Sequence, residues 1–481
     1  MLTDQPGNEE ETAVHAVTPR PITPQAVFET ALIVLALAGA LFLLPHVIGG
    51  DAARRYAALT ALLTGKGAGA TKYSLLGPIF AAPLWWLGAW VATPQAGVGW
   101  FNTLVFGLGL LGLYLVLRRH VEGRLLRAFL LLFTLASMVP YHLTQFYGEV
   151  FTASLMAVGL SAAVLSARAG GRLAGWGLAA LGVANTPATI VGLAVVAIQR
   201  MWARRAARHG LAVVAALALI AATNLLQRGS LTNTGYQTDY GAHSLMPFAG
   251  IPGFSYPLLL GLLSVLLSFG KGLVFYAPGL FLPVRKRMRR LIETGLLSSG
   301  VWTVYTLWIG FTVGLIVVYS KWWAWYGGWF WGPRFFLFAC APASFALALW
   351  TQRPSARLWV NIGALGVLAL STWVGINGAV FGQSGLQVCT AHFYLLESYC
   401  HYSPDYSALW RPLVNFYLFG LGPRFIAAEE LQPGPVTFGF FILAVAVYLA
   451  LPLMRTIARQ ARDLANSQVP RLTARLRGWR L

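Results

Sequence analysis

Charge is what this chain has least of. Only 10% of its 481 residues are Asp, Glu, Lys or Arg, against roughly 25% in soluble domains. That scarcity excludes an ordinary soluble fold. Acid is rarer still, with 15 Asp and Glu facing 35 Lys and Arg. The chain also lacks any Cys/His metal spacing, Walker loop, G-x-S-x-G turn or dinucleotide fingerprint, so the common signatures of soluble enzymes are missing. No repeat of fixed period occurs, nor an inverted pair of broken helices that would suggest a transporter. No cleavable signal is expected: residues 1–26 are polar, acidic at Glu9, Glu10 and Glu11, and read as a disordered tail.

What fills the chain instead is apolar surface. Hydrophobic residues make up 57%, in runs of about 20, the length that crosses a hydrocarbon core of about 30 Å. The fold class expected is an all-α polytopic membrane protein. The net charge of +20 would suit nucleic acid, but the Lys and Arg residues sit in short clusters between apolar runs. That is positive-inside patterning, and a nucleic-acid partner is rejected.

The basic clusters also decide which runs cross. If 75–92 spanned, the "RRHVEGRLLR" loop and every later basic loop would fall outside; if it lies on the surface, all of them fall inside. The second arrangement predicts about twelve transmembrane helices with both termini cytoplasmic. It gives a tail at 1–26, a membrane-embedded domain at 27–454 and a basic tail at 455–481. The outer segments include a first loop at 50–97, carrying two surface helices, and a late loop at 377–433. Ten basic residues resist the sorting: Arg54, Arg55, Lys66, Lys72, Arg228, Lys271, Lys321, Arg334, Arg411 and Arg424.

Those exceptions direct attention to the outer side. Asp51 opens "DAARRYAALTALLTG", an amphipathic stretch read as an interfacial helix. Two readings stand for it: an N-cap, or a carboxylate facing a cavity at the lipid–water boundary. Lys72 and Tyr73 precede a second surface segment rich in Pro and Trp; Lys72 either snorkels to headgroups or holds one lipid's phosphate. Glu149 sits at the mouth of a later span, as a cap or as the second of two carboxylates suited to base work or a divalent ion. "WWAWYGGWFWGPR" packs five tryptophans, Trp325 and Trp329 among them, ahead of Arg334. An aromatic belt explains the tryptophans. A sugar-stacking wall beside a phosphate-holding arginine fork explains the glycines and Arg334 as well. Lys271, in "SFGKGLVFYAPGLF" with Tyr276, is a charge inside an apolar run and should line a polar cavity. Cys389 and Cys400 share the late outer loop, where a disulfide is expected, while Cys340 lies in a span.

A first span, an outer "DAARRYA", two surface helices and the lysine-led "KYSLLGPIFAAPLWWLG" resemble the GT-C glycosyltransferases. The similarity is to those that use polyprenyl-phosphate sugars, such as the lipid A aminoarabinose transferase and the protein O-mannosyltransferases. The resemblance covers residues 27 to 350. It implies a GT-C-like bundle in the inner (plasma) membrane and an enzyme that transfers a hexosyl or pentosyl group to an acceptor hydroxyl outside the cytoplasm, with inversion. The acceptor is a glycan, lipid or protein. In that scheme Asp51 and Glu149 are catalytic. Arg55, Lys72, Tyr73, Lys271, Tyr276, Trp325, Trp329 and Arg334 bind substrate. No cofactor is assigned, and a divalent ion is left open. The chain departs from the pattern in lacking a second acid beside Asp51 and a large C-terminal soluble domain. The competing readings are an O-antigen-type polymerase or ligase, and a multi-span transporter or flippase.

Overall fold

A computed structural model describes residues 23–67, 69, 71–237, 246, 248–251, 253–382, 386, 394, 397–415 and 431–478, with side chains of the last helix described to Ser467. Eight helices among them are long and apolar enough to cross a membrane. The protein is a multi-pass helical membrane protein. The first helix, α1 (Pro24–Phe42), starts where Thr23 accepts a hydrogen bond from the Ala26 amide and Pro24 takes the first turn, where its missing N–H costs nothing.

After α1 the chain stays at one end of the bundle for nearly sixty residues. Four short helices form there: α2 (Asp51–Leu63), α3 (Leu76–Ile79), α4 (Ala82–Val91) and α5 (Pro94–Gly99). None could cross a 30 Å core at 1.5 Å per residue. Trp86 and Trp90 project from α4 with 53% and 91% exposure, the placing that an interfacial anchor needs. Where the sequence predicts two surface helices the chain forms α2, α3 and α4, and α5 leads into the next helix within one apolar stretch over Pro94–Leu117.

The chain then descends through α6 (Phe101–Leu117) and turns into α7 (Gly123–Leu135) and α8 (Val139–Leu143). Helices α9 (Gly148–Leu165), α10 (Ala169–Asn185), α11 (Ile190–Arg204) and α12 (Leu211–Arg228) follow. Glycine lets α9 and α10 touch: a Cβ on Gly175 would meet the Ala163 amide nitrogen at 2.4 Å, the close approach that small residues allow in membranes. The "VANTPATI" hairpin occurs as a 3₁₀ turn at Pro187–Thr189, between helices longer than the sequence suggests.

Twelve crossings were the expectation. The passes at 125–141, 173–184, 186–198 and 257–284 contain helices shorter than the eight long ones. The last of these breaks where "SFGKG" implies, into α13 (Leu258–Leu267) and α14 (Leu273–Tyr276). A short basic helix, α15 (Arg285–Glu293), leads to α16 (Ser299–Lys321), α17 (Cys340–Gln352) and α18 (Leu358–Val380). The last helix runs unbroken over Pro433–Gly478, so the basic stretch from Arg455 continues it; its Ala, Leu, Arg and Gln content favours the helix.

Helix directions sort the loops. The first residues of α9, the last of α1, α12, α16 and α18, and the short helices α2 to α5 share one end. The clusters at 118–124, 168–172, 204–208, 285–290 and 353–357 share the other.

Candidate active site

The site is assembled at the first of these ends, around Arg334. Helix α2 is capped by Gly50, at φ 55°, and no side chain caps it. This corrects the capping reading of Asp51, which lies in the first turn with its carboxylate directed elsewhere. Tyr73 Oη donates to Asp51 Oδ1 at 2.5 Å, and Arg334 Nη2 donates to Oδ2 at 2.7 Å. Arg334 Nε donates to the Gly327 carbonyl at 2.7 Å and lies 3.7 Å from Glu149 Oε1. Glu149 occupies the first turn of α9, and its Oε2 is buried without a hydrogen-bond partner. One guanidinium is thus shared between two carboxylates, with the Phe330 ring 4.1 Å from its carbon.

That charge arrangement fixes protonation. Burial pushes the Asp51 carboxyl upward, but the Arg334 charge, the bonds from Tyr73 and Arg334, and the nearby Arg55 outweigh it and hold Asp51 below the usual carboxylate range. The Tyr73 phenol is pushed up, by burial first and the Asp51 charge next. At neutral pH, Tyr73 is therefore a donor and Asp51 an anion.

Behind Tyr73 the surface turns basic. The Arg55 guanidinium lies 5.0 Å from the Tyr73 ring centre, and Lys72 Nζ lies 5.5 Å from that ring and from Tyr236. Beside them opens a polar cavity of about 490 Å³, lined by Thr71, Lys72, Arg228, Thr232, Asn233, Gly235 and Gln237. Among the described residues its lining is two cations, hydroxyls and amides, a composition suited to an anion. Arg228 was one of ten exceptions in the sequence, but nothing there assigned it to the Lys72 pocket. It donates to Asn224 Oδ1 at 2.7 Å and to the Thr71 carbonyl. The 229–237 loop reaches this pocket through Gly235, where a Cβ would stand 2.7 Å from the Lys72 Cα.

The aromatic loop 322–333 holds Arg334 from above. Gly327 and Gly328 both have φ near 78°, a conformation costly for other residues, and the turn aims the Gly327 carbonyl at Arg334. Lys271 supports the loop from beneath. Its ammonium donates to the carbonyls of Gly328 (3.3 Å), Gly332 (3.0 Å) and Phe330, at 1% exposure. Three carbonyls engage its three protons, which makes Lys271 a support for the loop. Tyr276 and Trp325 are buried, each 1% exposed. Tyr276 packs on Trp331, with ring centres 5.4 Å apart. Trp329 is half-buried, stacks on Tyr394 at 4.1 Å and donates from its indole to Glu397 at 2.8 Å. Cys340 is a buried free thiol, whereas Cys400 is disulfide-bonded; Cys389 lies outside the described residues. Among those residues no three His, Cys, Asp or Glu side chains converge as a metal site.

No protein family's sequence profile matches the chain, and no curated protein does. Solved structures do. ArnT from Cupriavidus metallidurans, in a crystal structure bound to undecaprenyl phosphate, superposes with a TM-score of 0.50 at 14% identity, over 91% of this chain and 79% of that one. The apo crystal structure of the same protein gives a TM-score of 0.48 at 13% identity, over 91% and 78%. At such identity the likeness speaks for architecture. The chain has the ArnT membrane fold.

Proposed function

We propose that the protein is an integral membrane glycosyltransferase. It moves a sugar from a polyprenyl-phosphate donor to an acceptor hydroxyl on the extracytoplasmic face, with inversion. The observation that carries this reading is Arg334 held between Asp51 and Glu149, next to the pocket that Lys72 and Arg228 line, at the end of the bundle where the chain builds its short helices α2 to α4. A fold shared with a protein crystallised with undecaprenyl phosphate is consistent with it.

The chemistry follows from charge. The acceptor oxygen attacks the anomeric carbon while the bond from that carbon to the phosphate oxygen breaks, and the electron pair leaves with the lipid phosphate. Negative charge grows on the phosphate, so preorganised cations lower the barrier. Lys72 and Arg228 supply them in the pocket, and Arg334 supplies a fork. In the resting arrangement both Asp51 oxygens accept hydrogen bonds. A donor phosphate competes for the guanidinium and frees Oδ2 to take the acceptor's proton. With Oδ2 taking the acceptor's proton, Asp51 acts as a base, and the sugar moves in one displacement that inverts the anomeric centre.

The test is release of undecaprenyl phosphate from a panel of undecaprenyl-phosphate sugars by the purified protein, in the presence of membrane glycolipid acceptors. Turnover by wild type and loss of about tenfold to a hundredfold in Arg334→Ala is the expected outcome, since a charge-assisted contact is worth roughly 1.5–3 kcal/mol. Arg334→Lys should not restore full rate, because a point ammonium lacks the fork. Equal turnover in wild type and Arg334→Ala would refute the assignment of this site.

A further inference from the structure

The opposite end of the bundle carries a surface that the proposed reaction does not use. Helix α15 is two-faced: Met288 and Leu291 are buried, while Arg285, Lys286, Arg289 and Arg290 are exposed. Glu293 answers Arg289 at 2.9 Å, and the other three face no carboxylate at ion-pair distance among the described residues. Neighbouring loops add charge of the same sign. Val121 pairs with Leu297, the Glu122 amide donates to the Leu296 carbonyl and the Ser298 amide to the His120 carbonyl, both at 2.9 Å. These contacts bring exposed Arg118 and Arg119 alongside. On another flank, Arg287 stacks on Trp350 at 3.6 Å and donates to the Arg353 carbonyl, tying α15 to a loop that also exposes Arg357. Gln460 then binds the Ser355 carbonyl at 2.8 Å, which places the basic stretch of the last helix next to the same loop.

Like charges held together in this way repel unless something answers them. The apolar rim says what does. Phe281, just before α15, is 53% exposed, and Trp359, just after the 353–357 loop, is 76% exposed. Cations above and bare aromatics below match the headgroup–acyl boundary of a bilayer, where Trp and Arg both gather. A nucleic acid or an acidic protein would match the charge but not the rim. We propose that α15 and the loops 118–119 and 353–357 form a binding surface for anionic glycerophospholipid headgroups.

The test compares bound lipid in the full chain purified in neutral detergent and titrated with phosphatidylglycerol or phosphatidylcholine, read by native mass spectrometry. Wild type should retain phosphatidylglycerol preferentially, and the preference should fall as salt rises from about 50 to about 500 mM, which shortens the screening length. Replacing Arg285, Lys286, Arg289 and Arg290 together by Gln should lower the preference by about tenfold or more, with the lipid-free thermal midpoint unchanged. If that variant does not fold, Arg353→Gln with Arg357→Gln serves in its place. Equal retention of both lipids by wild type, an undiminished preference in a folded variant, or a co-purifying polyanion that lipid fails to displace would each overturn the proposal. Undecaprenyl phosphate turnover plays no part in the readout, so this surface stands or falls apart from the reaction.

Discussion

Asp51 carries more than one role because its environment keeps it charged. Its folded pKa lies below the ordinary value of 3.8. A depressed carboxyl adds stability that is present above its unfolded pKa and is lost as pH falls through the folded value. The difference in thermal midpoint between wild type and Asp51→Asn should therefore stay constant from about pH 5 to 8 and shrink only below about pH 4. A difference that fades between pH 7 and 5 would mean that another group governs the pair. Asn keeps the side chain's shape, and Glu149 remains to balance Arg334, so the variant should fold while turnover falls by about 10²-fold or more. Full turnover in a folded Asn variant would remove Asp51 from the chemistry. The sequence made Asp51, Glu149 and Arg334 visible singly, as charges at odds with a greasy chain. It could not pair Asp51 with Arg334, which lie 283 positions apart, because no local period relates them. Lys271 was legible as a buried charge but its partners were not: they are main-chain carbonyls, which every residue has and no sequence advertises.

Elements show where local patterns suffice and where packing decides. Pro and Gly punctuation marked the break at "SFGKG" and the 185–187 hairpin, since both residues restrict or free the backbone locally. The loop 322–333 was marked too, but its burial was not: hydrophobicity cannot tell a tryptophan facing lipid from one packed under a turn. Lys271→Met tests that element. It leaves three carbonyls without their cation, a loss of about 3–5 kcal/mol by analogy with broken buried charge contacts. The thermal midpoint should fall and Arg334 should loosen, lowering turnover with it. At the far end, Glu29 ties three helices together. It accepts from Arg127 Nε at 2.6 Å, Gln25 Nε2 at 2.9 Å and Tyr448 Oη at 2.9 Å, at 2% exposure. Glu29→Ala strands a cation and two donors between α1, α7 and the last helix, and should lower the midpoint far more than Glu29→Gln, which keeps acceptor capacity. Equal midpoints for the two variants would make the cluster incidental.

Across the whole molecule, the sorting of charge is the one long-range pattern that sequence conveyed. Among the described residues, the basic loops and the exceptions to them separate to opposite ends of the bundle, although each was read from a linear string. Insertion physics explains why: a lysine or arginine resists crossing the membrane, so the sequence itself records which loops stayed behind. Which end faces the cytoplasm follows from the same bias. Clusters at 118–124, 285–290 and 353–357 should lie inside, and α2, the Lys72 pocket and Arg334 outside. Single cysteines at exposed positions put this to the test, with buried Cys340 expected to stay unreactive. Lys66→Cys should react with a membrane-impermeant maleimide in intact cells, whereas Arg289→Cys should react only after the membrane is opened. The reverse pattern would turn the whole bundle over, move Asp51 to the cytoplasm and require a donor presented on that leaflet. Labelling of both positions in intact cells would mean that the two ends share a compartment, which helices crossing between them forbid.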